Sequence, residues 1–317
     1  MWAIENQTEF EAERSFVRDR DGAEIFLVAV RATFNFDEHG RLSVADEQVP
    51  VAQSPCYTRK AGASSLRWDT DLSRTKNGTD VLLNGSAYAT DGVPQESVQT
   101  MLKVGPIEKQ LTVIGDRHLL GQSVSDPEKF TKMPINYERA YGGAGSDENP
   151  IGTGLNAQSA MMLPNVTGSS EDSVAGYGAL PCSWRPRRDY GGTYNQEWER
   201  QRKPLVPEDF DDAYFYSAPS DQQVPGFLKG GELVELINLT PNGRIEFQLP
   251  KITFGFTSFI DGGREHHRGE LHSVIIEPDE RTLYMVWHSQ LPCHNTLYTL
   301  ENCIVYEKTP ADFREQE

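Results

Sequence analysis

ELVELINLTPNGRIEFQL, residues 232–249, is two strands and the turn that joins them. From Arg244 the apolar residues fall on alternate positions: Ile245, Phe247 and Leu249 point one way, Arg244, Glu246 and Gln248 the other. That period of two is the pleat of a half-buried strand, not the 3.6-residue repeat of a helix. Thr240-Pro241-Asn242-Gly243 supplies the reversal. Proline presets φ at the second turn position, and glycine accepts the left-handed exit. Glu232–Leu239 and Arg244–Leu249 are therefore expected to pair as an antiparallel hairpin.

The same pattern recurs outward from this hairpin. Val274–Glu277, the turn Pro278-Asp279-Glu280-Arg281 and Thr282–Trp287 read as a second hairpin, and Thr296–Tyr306 as a closing strand. Upstream, Ser97–Val104 and Lys109–Ile114 flank Gly105-Pro106, and Asp80–Ala89 is one strand. Ile25–Phe36 carries Phe26, Val28, Val30, Ala32, Phe34 and Phe36 on one face, with Arg31, Thr33 and Asn35 on the other. Its end is expected to be buried on one side only. The expected fold is mainly β, with antiparallel sheets forming a sandwich- or barrel-like body, a long ordered Gly/Pro-rich loop region and few short helices. Two subdomains, 1–125 and 126–317, or one continuous domain fit this order equally.

Between Phe130 and Gly231 the texture changes. Gly and Pro make up 22 of those 102 residues against 24 of the other 215, so turns must be dense there. Large side chains persist throughout (Tyr137, Tyr141, Trp184, Tyr190, Tyr194, Trp198, Phe210), which excludes a tether and points to an ordered functional region. One helix is expected, Asn195–Lys203, ended by Pro204. The last residues, Ala311–Glu317, read as frayed or as a short helix.

Charge narrows the function. With 30 Lys and Arg against 47 Asp and Glu, the net charge is −17, which opposes binding to nucleic acid or to an anionic membrane. No apolar run reaches the roughly 20 residues of a membrane span, and the acidic opening MWAIENQTEFEAER argues against export by a secretory signal. Cys56, Cys182, Cys293 and Cys303 form no CxxC pair and read as buried free thiols of a cytoplasmic protein.

Catalytic patterns are weak. Gly142-Gly143-Ala144-Gly145 lacks the lysine of a phosphate loop, and no GxSxG elbow occurs. His266, His267 and His272 match no zinc spacing; the stretch Asp261–Glu270 reads as a solvated turn. His288 and His294 flank Cys293 without a nucleophile pattern. The chain is read as a non-enzyme without metal or cofactor.

Binding features are stronger. Trp184–Lys203 holds six basic residues (Arg185, Arg187, Arg188, Arg200, Arg202, Lys203) against three acidic ones, a sign inversion in an acidic chain. Trp184, Tyr190, Tyr194 and Trp198 accompany it, and Trp, Tyr and Arg dominate interface hot spots. Either these cations meet a partner, or they pair with Glu208, Asp209, Asp211 and Asp212 inside the fold. The expected partner-binding set is Trp184, Arg185, Arg187, Tyr190 and Trp198, with Tyr137, Glu138 and Arg139 organising the loops.

A run of motifs also resembles one bacterial family. They include Lys76-Asn77-Gly78-Thr79-Asp80-Val81, Val113-Ile114-Gly115-Asp116-Arg117, Met133–Gly143, Asn149–Gly154 and Leu163-Pro164-Asn165. Ala175-Gly176-Tyr177-Gly178, Trp184-Arg185-Pro186-Arg187, Ala218–Gln222, Gly230-Gly231-Glu232, Asn238–Pro241 and Pro278-Asp279-Glu280 complete the series. Together they resemble the domain-of-unknown-function family encoded beside type VI secretion spike genes, over nearly the whole chain. Asn77 stands where a proline is expected, and Asn136 and Tyr141 are milder departures. The resemblance implies an adaptor or chaperone that binds a PAAR-bearing effector and helps mount it on the VgrG spike. It carries no catalytic residues. The negative field would suit a basic client. The rival readings are a hydrolase or metal-dependent enzyme built on the histidines, and a carbohydrate-binding module stacking sugars on Trp184 and Trp198.

Overall fold

In a computed structural model of the chain, residues 3–74, 76–155, 161–293 and 296–308 are described. The expectations at His294 and at Ala311–Glu317 fall outside them.

Strands dominate, arranged in several sheets, and none closes into a barrel. The largest sheet runs in the order Gln223–Pro225, Gly78–Leu83, Glu270–Glu277, Thr282–Pro292, Glu24–Phe36, Glu11–Arg18, with Leu42–Val44 added on Glu24–Phe36. The second runs Val166–Thr167, Ile107–Ile114, Ser97–Val104, Leu233–Ile237, Arg244–Gln248. A third pairs Ala3–Asn6, Asn302–Glu307, Phe254–Ile260 and Gly263–Arg268. Both larger sheets draw strands from either side of residue 125. Among the described strands, pairing is antiparallel except between Gly78–Leu83 and Glu270–Glu277, between Ala3–Asn6 and Asn302–Glu307, and in the two-residue pair Tyr141–Gly142 with Thr153–Gly154.

The 232–249 hairpin forms as expected, with Leu236 opposite Ile245 and Val234 opposite Phe247. Gly243 takes φ +77° and donates its N–H to the Thr240 carbonyl at 3.0 Å. The apolar side chains of the hairpin enter a core shared by the sheets, where Phe247 stacks on Phe36 at 5.2 Å. Burial of these faces removes apolar area from water and is the main drive to the fold.

Four local expectations need correction. Glu24–Phe36 is buried on both faces from Phe26 to Phe34, Arg31 and Thr33 included, and its burial becomes one-sided only at Asn35, later than expected. A second small core (Leu66, Trp68, Leu82, Tyr284 and neighbours) covers the other side of the sheet. Arg31 lies there with no exposed surface, between the rings of Trp68 and Tyr284 at 4.5 and 4.6 Å, and pairs with Asp71 at 2.8 Å. Asp80–Ala89 is two strands rather than one, Gly78–Leu83 and Gly85–Tyr88, with the break at Asn84. The Asn84 N–H donates to the Ile276 carbonyl and its side-chain amide to the Arg67 carbonyl and Glu277, before the chain moves on to pair with Lys132–Ile135. The stretch Asp261–Glu270 is largely solvent-exposed as expected, but only Asp261 and Gly262, both at positive φ, form the turn, and Gly263–Arg268 is a strand. Thr296–Tyr306 begins as a 3-10 turn at Leu297–Thr299 before the strand Asn302–Glu307.

Three of the histidines are held inside the fold. His267 lies between the hydroxyls of Ser258 (2.8 Å) and Ser289 (2.5 Å). His272 and His288 stack at 3.6 Å in the interior, close to the buried pair of Lys76 and Asp80. Burial makes a charged imidazole costly, so the pKa of His267 falls to about 4 and that of His288 to about 3.

Candidate functional site

The Gly/Pro-rich midsection supplies an edge strand to each larger sheet, Val166–Thr167 and Gln223–Pro225, and its side chains divide into clamps and surface. Arg187 is a clamp. It is buried, and its guanidinium donates to the carbonyls of Leu180 and Tyr214 and to Asp69 Oδ2 at 2.8 Å, holding three segments together. Trp184 is buried too, its ring edge-on to Tyr137 at 5.5 Å. Tyr137 is interior, and its hydroxyl donates to the Gly178 carbonyl at 2.8 Å; desolvation raises its pKa far above the usual phenol range. Glu138 accepts from the backbone and hydroxyl of Ser65, and Arg139 Nη1 reaches Asp116 and Asn165, each at 2.9 Å. Tyr137, Glu138 and Arg139 thus fasten loops to one another.

Arg185, Tyr190 and Trp198 of the expected partner-binding set reach the surface, as Glu138 and Arg139 do in part, whereas Trp184, Arg187 and Tyr137 are buried. Arg185 is exposed and pairs with Asp189 at 3.1 Å. Tyr190, half-buried, ends the short helix Arg187–Tyr190, and its carbonyl accepts from Asp211. Trp198 belongs to the helix Gln196–Gln201, capped by Asn195, whose Oδ1 accepts from Trp198 N at 2.9 Å. Its indole N–H donates to Leu205 and its ring meets Tyr194 at 4.7 Å. The cations of 185–203 do not use the acidic run at 208–212 in the ion pairs of the described residues: Arg187 takes Asp69, Arg188 takes Asp147, Lys203 takes Glu199. Asp212 instead holds Arg74 at 2.7 Å, Asp209 holds Thr193, and Asp211 caps the 3-10 turn Asp212–Phe215.

What this arrangement leaves open is a groove of about 510 Å³. One wall is aromatic: Phe210, Tyr214 and Phe215 pack ring to ring at 5.5–5.6 Å. Arg74 lies over Phe210 and Phe215 at 5.9 and 5.3 Å, where a cation meets the negative ring face. Arg18 and Arg188 also line the groove, with Tyr194 at its exposed rim. Cys182 opens into the same groove and is exposed, a correction to the expectation of four buried thiols; Cys56 is half-buried, Cys293 and Cys303 fully so. The Tyr214 hydroxyl is pushed up to about 12 by burial and its bond to Cys182.

Sequence reading missed Arg18, Arg74, Phe210, Tyr214 and Phe215 as parts of one surface. Phe210 was visible as an aromatic of the midsection, but Arg18 and Arg74 arrive from segments far away in the chain.

The residues 21–288 match the family model DUF2169, described as uncharacterized protein conserved in bacteria. The chain belongs to this family. No curated protein and no solved structure matches it. The DUF2169 match covers the second sheet, the largest sheet except Glu11–Arg18 and the end of Thr282–Pro292, and the entire midsection, with every lining residue of the groove but Arg18. Three stretches of the resemblance also converge on a second cleft of about 420 Å³, where Gly176–Gly178, Pro134–Tyr137 and Asp279-Glu280 meet. Four of its charged groups pair with one another: Arg67 is bound by Glu277, and Lys132 by Asp279 at 3.1 Å. Among the described residues no group of three His, Cys, Asp or Glu side chains could hold a metal ion, and no helix is long and apolar enough to cross a membrane.

Proposed function

We propose that this DUF2169 protein is an adaptor or chaperone of type VI secretion, working in the cytoplasm, that binds a PAAR-bearing effector and helps load it on the VgrG spike. The observation that carries a binding role is the groove walled by Phe210, Tyr214 and Phe215 and edged by three arginines. Rings and guanidinium groups give large contact area at small cost in side-chain freedom, which is why they dominate protein interfaces. Arg187, a buried clamp whose guanidinium lies 5.7 Å from the Tyr214 ring, supports the same reading, since a preorganised surface loses less entropy on binding. The type VI assignment rests on the motif resemblance.

Co-expression with the neighbouring PAAR-bearing effector, followed by affinity purification, tests the proposal. A stable complex, and an effector that turns insoluble when this protein is deleted, are expected. An effector whose solubility and delivery are indifferent to the deletion refutes it.

A further inference from the structure

The groove has the opposite sign to its chain. The protein carries −17, yet three arginines and no carboxylate line this groove. Arg74 and Arg188 have counter-charges outside the lining, Asp212 at 2.7 Å and Asp147 at 3.1 Å. Arg18, exposed at the end of the strand Glu11–Arg18, makes no ion pair among the described residues. A cation without a counter-charge therefore sits beside an aromatic wall.

Resting on the adaptor reading, we infer that the groove takes an acidic segment of the client protein. Its carboxylate meets Arg18, and its aromatic or leucine side chains lie on Phe210, Tyr214 and Phe215. This reverses the basic client that net charge alone suggests. Screening explains why: at physiological salt the field of distant carboxylates decays over ~8 Å, so nearby arginines govern what enters the groove. Nucleic acid fits badly, because its affinity depends on neutralising many phosphates and two of the three lining arginines already hold carboxylates. A guanidinium beside rings suits a carboxylate flanked by apolar side chains, since the fork binds the anion while the rings desolvate the contact.

The probe is a short fluorescein-labelled peptide alternating glutamate with phenylalanine and leucine, compared with its lysine-for-glutamate counterpart. Fluorescence anisotropy on the full chain should show binding of the acidic peptide only. Arg18→Glu should weaken it about tenfold or more, while Arg264→Glu, an equal charge change on an exposed strand, should leave it unchanged. The acidic peptide should also slow alkylation of Cys182 by iodoacetamide, because that thiol lines the groove. Equal binding of both peptides, equal effects of the two variants, or undiminished alkylation would overturn the inference. Circular dichroism of Arg18→Glu checks that the fold is kept. If the effector co-purifies equally with wild type and Arg18→Glu, the groove assignment fails and the adaptor reading stands. If it never binds wild type, the adaptor reading fails and the peptide measurements alone decide the groove.

Discussion

Arg185 and Arg187 are two residues apart, carry the same charge, and have unlike roles. Arg185 reaches into solvent beside Asp189, so its ion pair competes with water and salt. Arg187 is buried, and removing it would leave the Asp69 carboxylate and the carbonyls of Leu180 and Tyr214 short of donors. Losing one partner of a buried pair costs ~3–5 kcal/mol, against ~0–1 kcal/mol for an exposed pair. Urea denaturation should therefore show a large fall in midpoint for Arg187→Ala and almost none for Arg185→Ala. Equal midpoints would mean that Arg187 is no clamp. Sequence cannot separate the two, because what distinguishes them is Asp69, more than a hundred residues upstream.

Elements were legible where their partners are close in sequence. The 232–249 hairpin could be read to the residue because its turn chemistry and its alternation agree, as local and global preferences do in natural folds. Phe247, at its centre, bonds the hairpin to the long strand through Phe36, with ring planes 27° apart. Phe247→Ala should cost ~3–5 kcal/mol, as large-to-small core changes do, and a loss under ~1 kcal/mol would show that this stack carries little. Gly40 is the local counterpart on the facing loop. It has φ +77°, and an added Cβ would fall 2.1 Å from the Glu246 carbonyl. Gly40→Ala should thus lower the thermal midpoint, while Gly62→Ala, also at positive φ but in open space, should lower it less. The order of the sheets was not legible. Gly78–Leu83 lies beside Glu270–Glu277, a parallel pairing that no local pattern encodes. Arg31 shows the same limit. Its place on the polar side of an alternating strand suggested solvent, but the segment carrying Trp68 and Asp71 covers that face. The groove was half visible for this reason: its rings lie in one stretch, and two of its arginines do not.

For the whole molecule, net charge and buried histidines make opposite demands as pH falls. Acidification from pH 7 reduces the repulsion among an excess of carboxylates, which by itself favours the compact state. The histidines act against it. Burial, with His266 nearby, lowers His267 to about 4, and burial, with Lys76 nearby, lowers His288 to about 3. His272 is lowered for the same first reason, then by His288 and Lys76. In the unfolded chain each titrates near its ordinary value of ~6.5. Between that value and the folded one, the unfolded state binds protons that the folded state refuses, so stability rises with pH. Their stability is complete above ~6.5 and is lost as pH drops below it, at ~1.4 kcal/mol per unit for each group. Between pH 7 and 5 this amounts to ~2 kcal/mol for His267 and for His288, with His272 acting in the same direction, against which relief of screened surface repulsion works only weakly. Asp71 works the other way, because burial raises its carboxyl despite Arg31, and it offsets part of the loss toward the acid end. The urea midpoint should therefore fall from pH 7 to pH 5 although the net charge moves toward zero. His267→Gln, which can still bond Ser258 or Ser289, should flatten the slope by one histidine's share. A midpoint that rises or stays level over this interval would mean that these imidazoles are not held neutral in the folded core.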